Sequence, residues 1–81
     1  MSKKITNKIV GIKQCLKFLK TLEDITEYKF YVAKDADPKI IQPLIELANT
    51  KEVEINYVAT MKELGLLCSI DVGAAVALFK N

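Results

Sequence analysis

Hydrophobic positions recur with two different periods along this chain. Ile12, Cys15, Leu16 and Leu19 stand at i, i+3, i+4 and i+7, the spacing of a helix with one buried face. Ile9-Val10 reads as a short strand ahead of it, Gly11 marks the strand-to-helix corner, and the residues before Ile9 read as a helical opening. Lys29-Phe30-Tyr31-Val32-Ala33 is aromatic and β-branched and stops at Lys34-Asp35-Ala36-Asp37, which predicts a buried strand entering a turn. Asp37-Pro38 has the form of an N-cap followed by Pro at the first helical position, since the carboxylate can accept a free amide and Pro has none to leave unsatisfied. A helix is expected from there to about Thr50, with Ile40, Ile41, Leu44, Ile45, Leu47 and Ala48 on its apolar face and a kink or loose first turn ahead of Pro43. Glu54-Ile55-Asn56-Tyr57-Val58 alternates like a strand, and Thr60-Met61-Lys62-Glu63 is a capping box opening a short helix through Leu67. The run 73–79 predicts a last buried strand. Alternation of this kind specifies a three-layer α/β/α sandwich with a small mixed four-stranded sheet, in one domain from residue 1 to residue 81.

Composition narrows the chemistry. The 81 residues are 51% hydrophobic and carry a net charge of +2, too small by itself to signal a nucleic-acid binder. All twelve cations are Lys, and six of them (Lys3, Lys4, Lys8, Lys13, Lys17, Lys20) precede the first acid, so residues 1–20 carry +6 and residues 21–81 carry −4. With no His, a catalytic triad or a His-bearing zinc site is excluded, and the acids form no recognisable acid/base pair, so no enzyme and no cofactor is expected. Asp35 and Asp37 supply too few oxygens for a calcium or magnesium loop and are expected to form a turn and a cap. Cys15 and Cys68 make no CxxC motif and are expected to be buried apolar fillers. No apolar run reaches the roughly 18–20 residues of a membrane span, and Met1-Ser2-Lys3-Lys4 is not followed by the apolar core of a signal peptide, so a cytoplasmic protein is expected; a monomer is the accompanying expectation.

Two stretches invite a ligand. On the helix that begins at Gly11, Lys13, Lys17 and Lys20 line the side opposite the apolar arc, with Gln14 beside them, and Lys13 and Gln14 fall in the first turn, where free amides and the helix dipole already favour an anion. Three lysines on a helix also describe a plain solvated face. For RNA, Lys would act as a point charge on phosphates and Gln14 could read a base edge. In Ser69-Ile70-Asp71-Val72-Gly73-Ala74, Ile70 and Val72 suit either packing against an unstacked base or alternate positions in the core.

Gly11-Ile12-Lys13-Gln14 with Lys17, Val32-Ala33-Lys34-Asp35-Ala36-Asp37-Pro38, Met61-Lys62-Glu63-Leu64-Gly65 and Ile70-Asp71-Val72-Gly73-Ala74-Ala75, in that order and spacing, resemble the L-seven-Ae family of ribosomal proteins, most closely its small bacterial members. The resemblance covers nearly the whole chain. It implies an α/β/α sandwich that binds kink-turn RNA, a sharply bent element with tandem sheared G·A pairs, and a ribosome-associated or regulatory RNA as partner. On that resemblance Gly11, Lys13, Gln14 and Lys17, with Lys20 on the same face, enter the kinked groove, while Ile70, Val72 and Gly73 pack on a flipped-out nucleotide that Asp37 can also touch. The wider family has Thr-Asn-Glu where this chain has Ile12-Lys13-Gln14: Gln keeps an acceptor without the charge, and Lys13 adds attraction that is less selective. A protein-interaction adaptor on the same fold is the competing expectation.

Overall fold

The structure, a computed structural model, describes residues 8–21 and 28–80. Seven elements follow in the order β1 (Lys8–Val10), α1 (Ile12–Thr21), β2 (Tyr28–Ala33), α2 (Pro38–Thr50), β3 (Glu54–Val58), α3 (Met61–Leu67) and β4 (Val76–Lys80). The strands form one mixed sheet in the order β1-β4-β2-β3, with β2 and β3 parallel and β4 antiparallel to both β1 and β2. Period two splits the central strands between two faces. Phe30 stands opposite Leu78 and Val32 opposite Val76, and all four are fully buried. The same face carries Tyr28, whose ring meets Phe18 of α1 edge-on at 5.0 Å, and α1 packs beside α2. On the opposite face Tyr31 and Phe79 meet at 5.1 Å and share a cavity wall with Leu67 of α3. These are the three layers expected.

Both long-range helices are fixed at their ends. Asp37 caps α2 by accepting the Lys39 amide at 2.9 Å, with Pro38 in the first turn. Thr60 Oγ1 accepts the Glu63 amide at 3.1 Å, which is one half of the expected capping box. At the other ends α2 and α3 stop in the same motif, without glycine. Glu52 and Ser69 both adopt φ of 61°, while the Val53 amide reaches back to the Ala48 carbonyl and the Ile70 amide to the Gly65 carbonyl. These are Schellman closures, in which a left-handed residue lets the chain turn back on its last helical carbonyls. A left-handed L-residue costs roughly 1–2 kcal/mol, and glycine's extra freedom in the unfolded chain returns part of that. Ser69→Gly and Glu52→Gly are therefore each expected to raise stability by about 0.5–1 kcal/mol, seen as higher urea midpoints at an unchanged slope.

The helical opening expected before Ile9 lies outside the described residues apart from Lys8, which belongs to β1. Two expectations need adjustment. The helix 38–50 continues through Pro43 without interruption, with the exposed ring turned away from the core that Ile41, Leu44 and Ala48 enter. The last strand begins at Val76 rather than Gly73, because the Ala74 amide is taken by the Met61 carbonyl of α3 before the chain joins the ladder. Cys15 and Cys68 are buried free thiols, as expected. Burial, with a smaller contribution from Cys68, pushes Cys15 up to about 12, against a backbone hydrogen bond at Leu78, so it stays a thiol.

Candidate nucleic-acid interface

The sequence-selected residues gather at one end of the sheet because the chain makes its turns there. The Gly11 amide donates to the Val76 carbonyl at 3.3 Å, anchoring the start of α1 to the first residue of β4. At the same end the Ala33 amide donates to the Ala75 carbonyl and the Lys34 amide to the Val58 carbonyl. The start of α1, the turn 34–37, residues 59–60 and the loop 69–75 are thus neighbours.

Gly11 opens α1 with φ of 108°, which an L-side chain rarely adopts, and its carbonyl accepts the Cys15 amide as the first regular helical bond. Cys15 and Leu19 point into the core with no exposed surface, which sends Lys13, Gln14 and Lys17 outward. Gln14 folds back toward the helix start: its Oε1 lies 2.5 Å from where a Cβ on residue 11 would stand. The first turn of α1 holds no acid to neutralise Lys13. Lys20 is also exposed, but it lies six residues beyond Gln14, about 9 Å along the axis, where its carbonyl accepts from Lys51 Nζ at 3.3 Å. It flanks the cluster rather than joining it.

The loop separates its two apolar side chains. Ile70 is half-buried against the core, whereas Val72 is 69% exposed. Gly73 packs on Met61, where an added Cβ would lie 3.2 Å from the Met61 Cβ. Asp37 is exposed at the rim of the same end while its Oδ1 caps α2. All nine sequence-selected residues are exposed or half-buried, and among the described residues no charged side chain is buried.

Sequence reasoning missed three contributors. Asp35 Oδ1 accepts the Met61 amide at 2.8 Å, joining the β2–α2 turn to α3. Gly65 lets the loop lie directly on α3, since a Cβ there would stand 2.1 Å from the Val72 carbonyl oxygen. Lys34 adds an exposed cation to this end. The partners of Asp35 and Gly65 are distant or follow a turn, so no local pattern announces them. The Lys8 ammonium, for its part, donates to the Cys68 carbonyl, tying β1 to the end of α3.

No protein-family model matches the chain. Individual proteins do. It is 41% identical over 76 residues to the RNA-binding protein BH0128 of Halalkalibacterium halodurans, covering 94% of this chain and 89% of that one. It is 43% identical over 67 residues to the RNA-binding protein YbxF of Geobacillus stearothermophilus, covering 83% and 78%. Among solved structures, the 15.5kD RNA binding protein of Giardia lamblia superposes with a TM-score of 0.78 at 24% identity, over 93% of this chain and 61% of that chain. The chain thus spans somewhat less than two thirds of the Giardia protein and most of its bacterial relatives. Sequence identity over nearly the full length, together with the shared α/β/α fold, places the chain in the L-seven-Ae-like family of small RNA-binding proteins.

Proposed function

We propose that this protein is a non-enzymatic RNA-binding protein that recognises kink-turn RNA, ribosomal or regulatory, and stabilises its bent form by binding it preferentially. One observation carries the reading: the basic, glycine-started N-terminus of α1 and the exposed Val72 loop sit at the same end of one sheet. Free amides of the first turn, Lys13 and Lys17 supply charge for crowded phosphates. Gln14, whose Oε1 lies beside Gly11, carries a carbonyl for a guanine amino group and an amide for a ring acceptor. Val72 offers an apolar surface to a base that has left the stack. Fixed Lys charges and a shaped edge suit a phosphate-dense bent duplex better than regular nucleic acid. The relatives' names as RNA-binding proteins agree with this reading.

The decisive measurement compares a kink-turn duplex with the same duplex whose sheared G·A pairs are replaced. Tight binding to the first, weak binding to the second and affinity falling with salt are expected; equal affinity would leave only nonspecific charge. Lys17→Ala is expected to cost about 1–2 kcal/mol on both RNAs, the scale of a charged hydrogen bond, and to flatten the salt dependence. Gln14→Ala should instead narrow the difference between the two. Titrations of both variants against both duplexes check this. The competing adaptor reading would rest on Leu66 and Leu67 of α3, exposed at 67% and 53%. It predicts a protein partner and no RNA retained after crosslinking in cells.

A further inference from the structure

Val72 has no position of its own. The loop that bears it is bonded to α3 at both ends, the Ile70 amide to the Gly65 carbonyl at 3.1 Å and the Ala74 amide to the Met61 carbonyl at 3.0 Å. Between these bonds the Val72 carbonyl lies over Gly65 and Gly73 lies on Met61. Loop and helix form one packed unit, so Val72 stands wherever α3 stands.

The start of α3 is placed in turn by Asp35. Met61 is the first residue of α3, and its amide has no acceptor within the helix. The Thr60 hydroxyl serves Glu63, a bond within the local chain, while Leu64 and Cys68 in the core and Lys8 on the Cys68 carbonyl hold the body and far end of α3, which leaves its first turn to be placed. The Met61 amide instead goes to Asp35 Oδ1, on the turn that follows β2. That turn is itself fixed, by the Lys34 amide on Val58, the Ala36 amide on Ala33 and Asp37 on the start of α2. Two aspartates, two residues apart, therefore hold the starts of two different helices.

We propose that Asp35 is a positioning residue for RNA recognition: its bond to the Met61 amide sets α3, and through α3 the height at which Val72 meets an unstacked nucleotide. The inference rests on the RNA reading above. An exposed carboxylate at the RNA-facing end repels phosphate, so what Asp35 contributes to binding has to come through geometry rather than charge. Asn keeps the acceptor and removes the charge, which separates the two.

The test uses the full chain and two kink-turn RNAs, one intact and one abasic at the bulge nucleotide expected to sit against Val72. The wild type should prefer the intact RNA about tenfold or more, the scale of burying one exposed Val side chain against a base. Asp35→Ala should bring that preference to about threefold or less, while Asp35→Asn keeps it and binds both RNAs somewhat more tightly at low salt. Lys17→Ala, as control, should weaken both RNAs together and leave the preference intact. In the free protein, amide hydrogen exchange at Met61, Ile70 and Ala74 should quicken in Asp35→Ala and not in Asp35→Asn. The inference is overturned if Asp35→Ala keeps the wild-type preference, or if Asp35→Asn loses it as Ala does. A wild type that fails to prefer the kink-turn over the G·A-replaced duplex would instead overturn the RNA reading and the inference with it.

Discussion

Gly65→Ala is expected to destabilise the protein by about 2 kcal/mol and to abolish the preference for an intact bulge nucleotide, although Ala is the better helix former. Propensity alone favours Ala by roughly 1 kcal/mol inside a helix. Against that, the new Cβ would stand 2.1 Å from the Val72 carbonyl oxygen and near the Gly73 Cα, and both are backbone atoms that cannot swing aside. The loop must lift, straining the Ile70 and Ala74 amide bonds to α3, and overpacking of this kind costs about 1–3 kcal/mol or somewhat more. Steric repulsion wins over propensity. Urea denaturation reads the stability, and the intact and abasic kink-turns read the displaced Val72. A variant more stable than wild type would mean that the loop is not seated on α3.

Phe30→Ala should have the largest effect of any single truncation, about 3–5 kcal/mol. Phe30 is the largest fully buried side chain among the described residues and lies on β2, which is flanked by β4 and β3, so no edge is available for the sheet to collapse inward. Domains of this size hold on the order of 0.05–0.15 kcal/mol per residue, about 4–12 kcal/mol for this chain, so the loss is a large fraction of the whole stability. The thermal midpoint should fall by roughly 15–30 °C. Phe30→Leu, which keeps most of the volume, should lose far less. Thermal melts by circular dichroism separate the two, and a small shift for Phe30→Ala would put the core elsewhere.

How far these features are legible in the sequence depends on how far apart the interacting residues lie. Asp37-Pro38 and Thr60 to Glu63 act within one turn: Asp37 caps α2 as the pattern predicts, and Thr60 on the Glu63 amide forms one half of the predicted box. Ile12, Cys15, Leu16 and Leu19 bury the arc their spacing defines, which alone sends Lys13, Gln14 and Lys17 outward. Ile70 and Val72, equivalent by period, are separated only by the tertiary docking of the loop on α3, which buries one and exposes the other. The ends of α2 and α3 escape sequence reading for a different reason. Glycine is the usual signal for a left-handed stop, and here Glu52 and Ser69 take that conformation because Val53 and Ile70 are drawn back toward the core. Asp35 reads as an ordinary turn acid because its partner amide lies 26 residues away.

The pairing of β1 with β4 alone sets the order in which this surface can be assembled. β1 is an edge strand whose register, Lys8 with Phe79 and Val10 with Ala77, is supplied by the element that follows all others in sequence. During synthesis the basic turn at Gly11 to Gln14 leaves the ribosome well before its anchor at the Val76 carbonyl, with α1, β2, α2, β3 and α3 made in between. Loop closure over such a span slows folding, since the entropy is lost before the contact rewards it. A nascent chain halted before β4 should therefore carry the charge of Lys13 and Lys17 without the anchor that sets the start of α1 against the sheet.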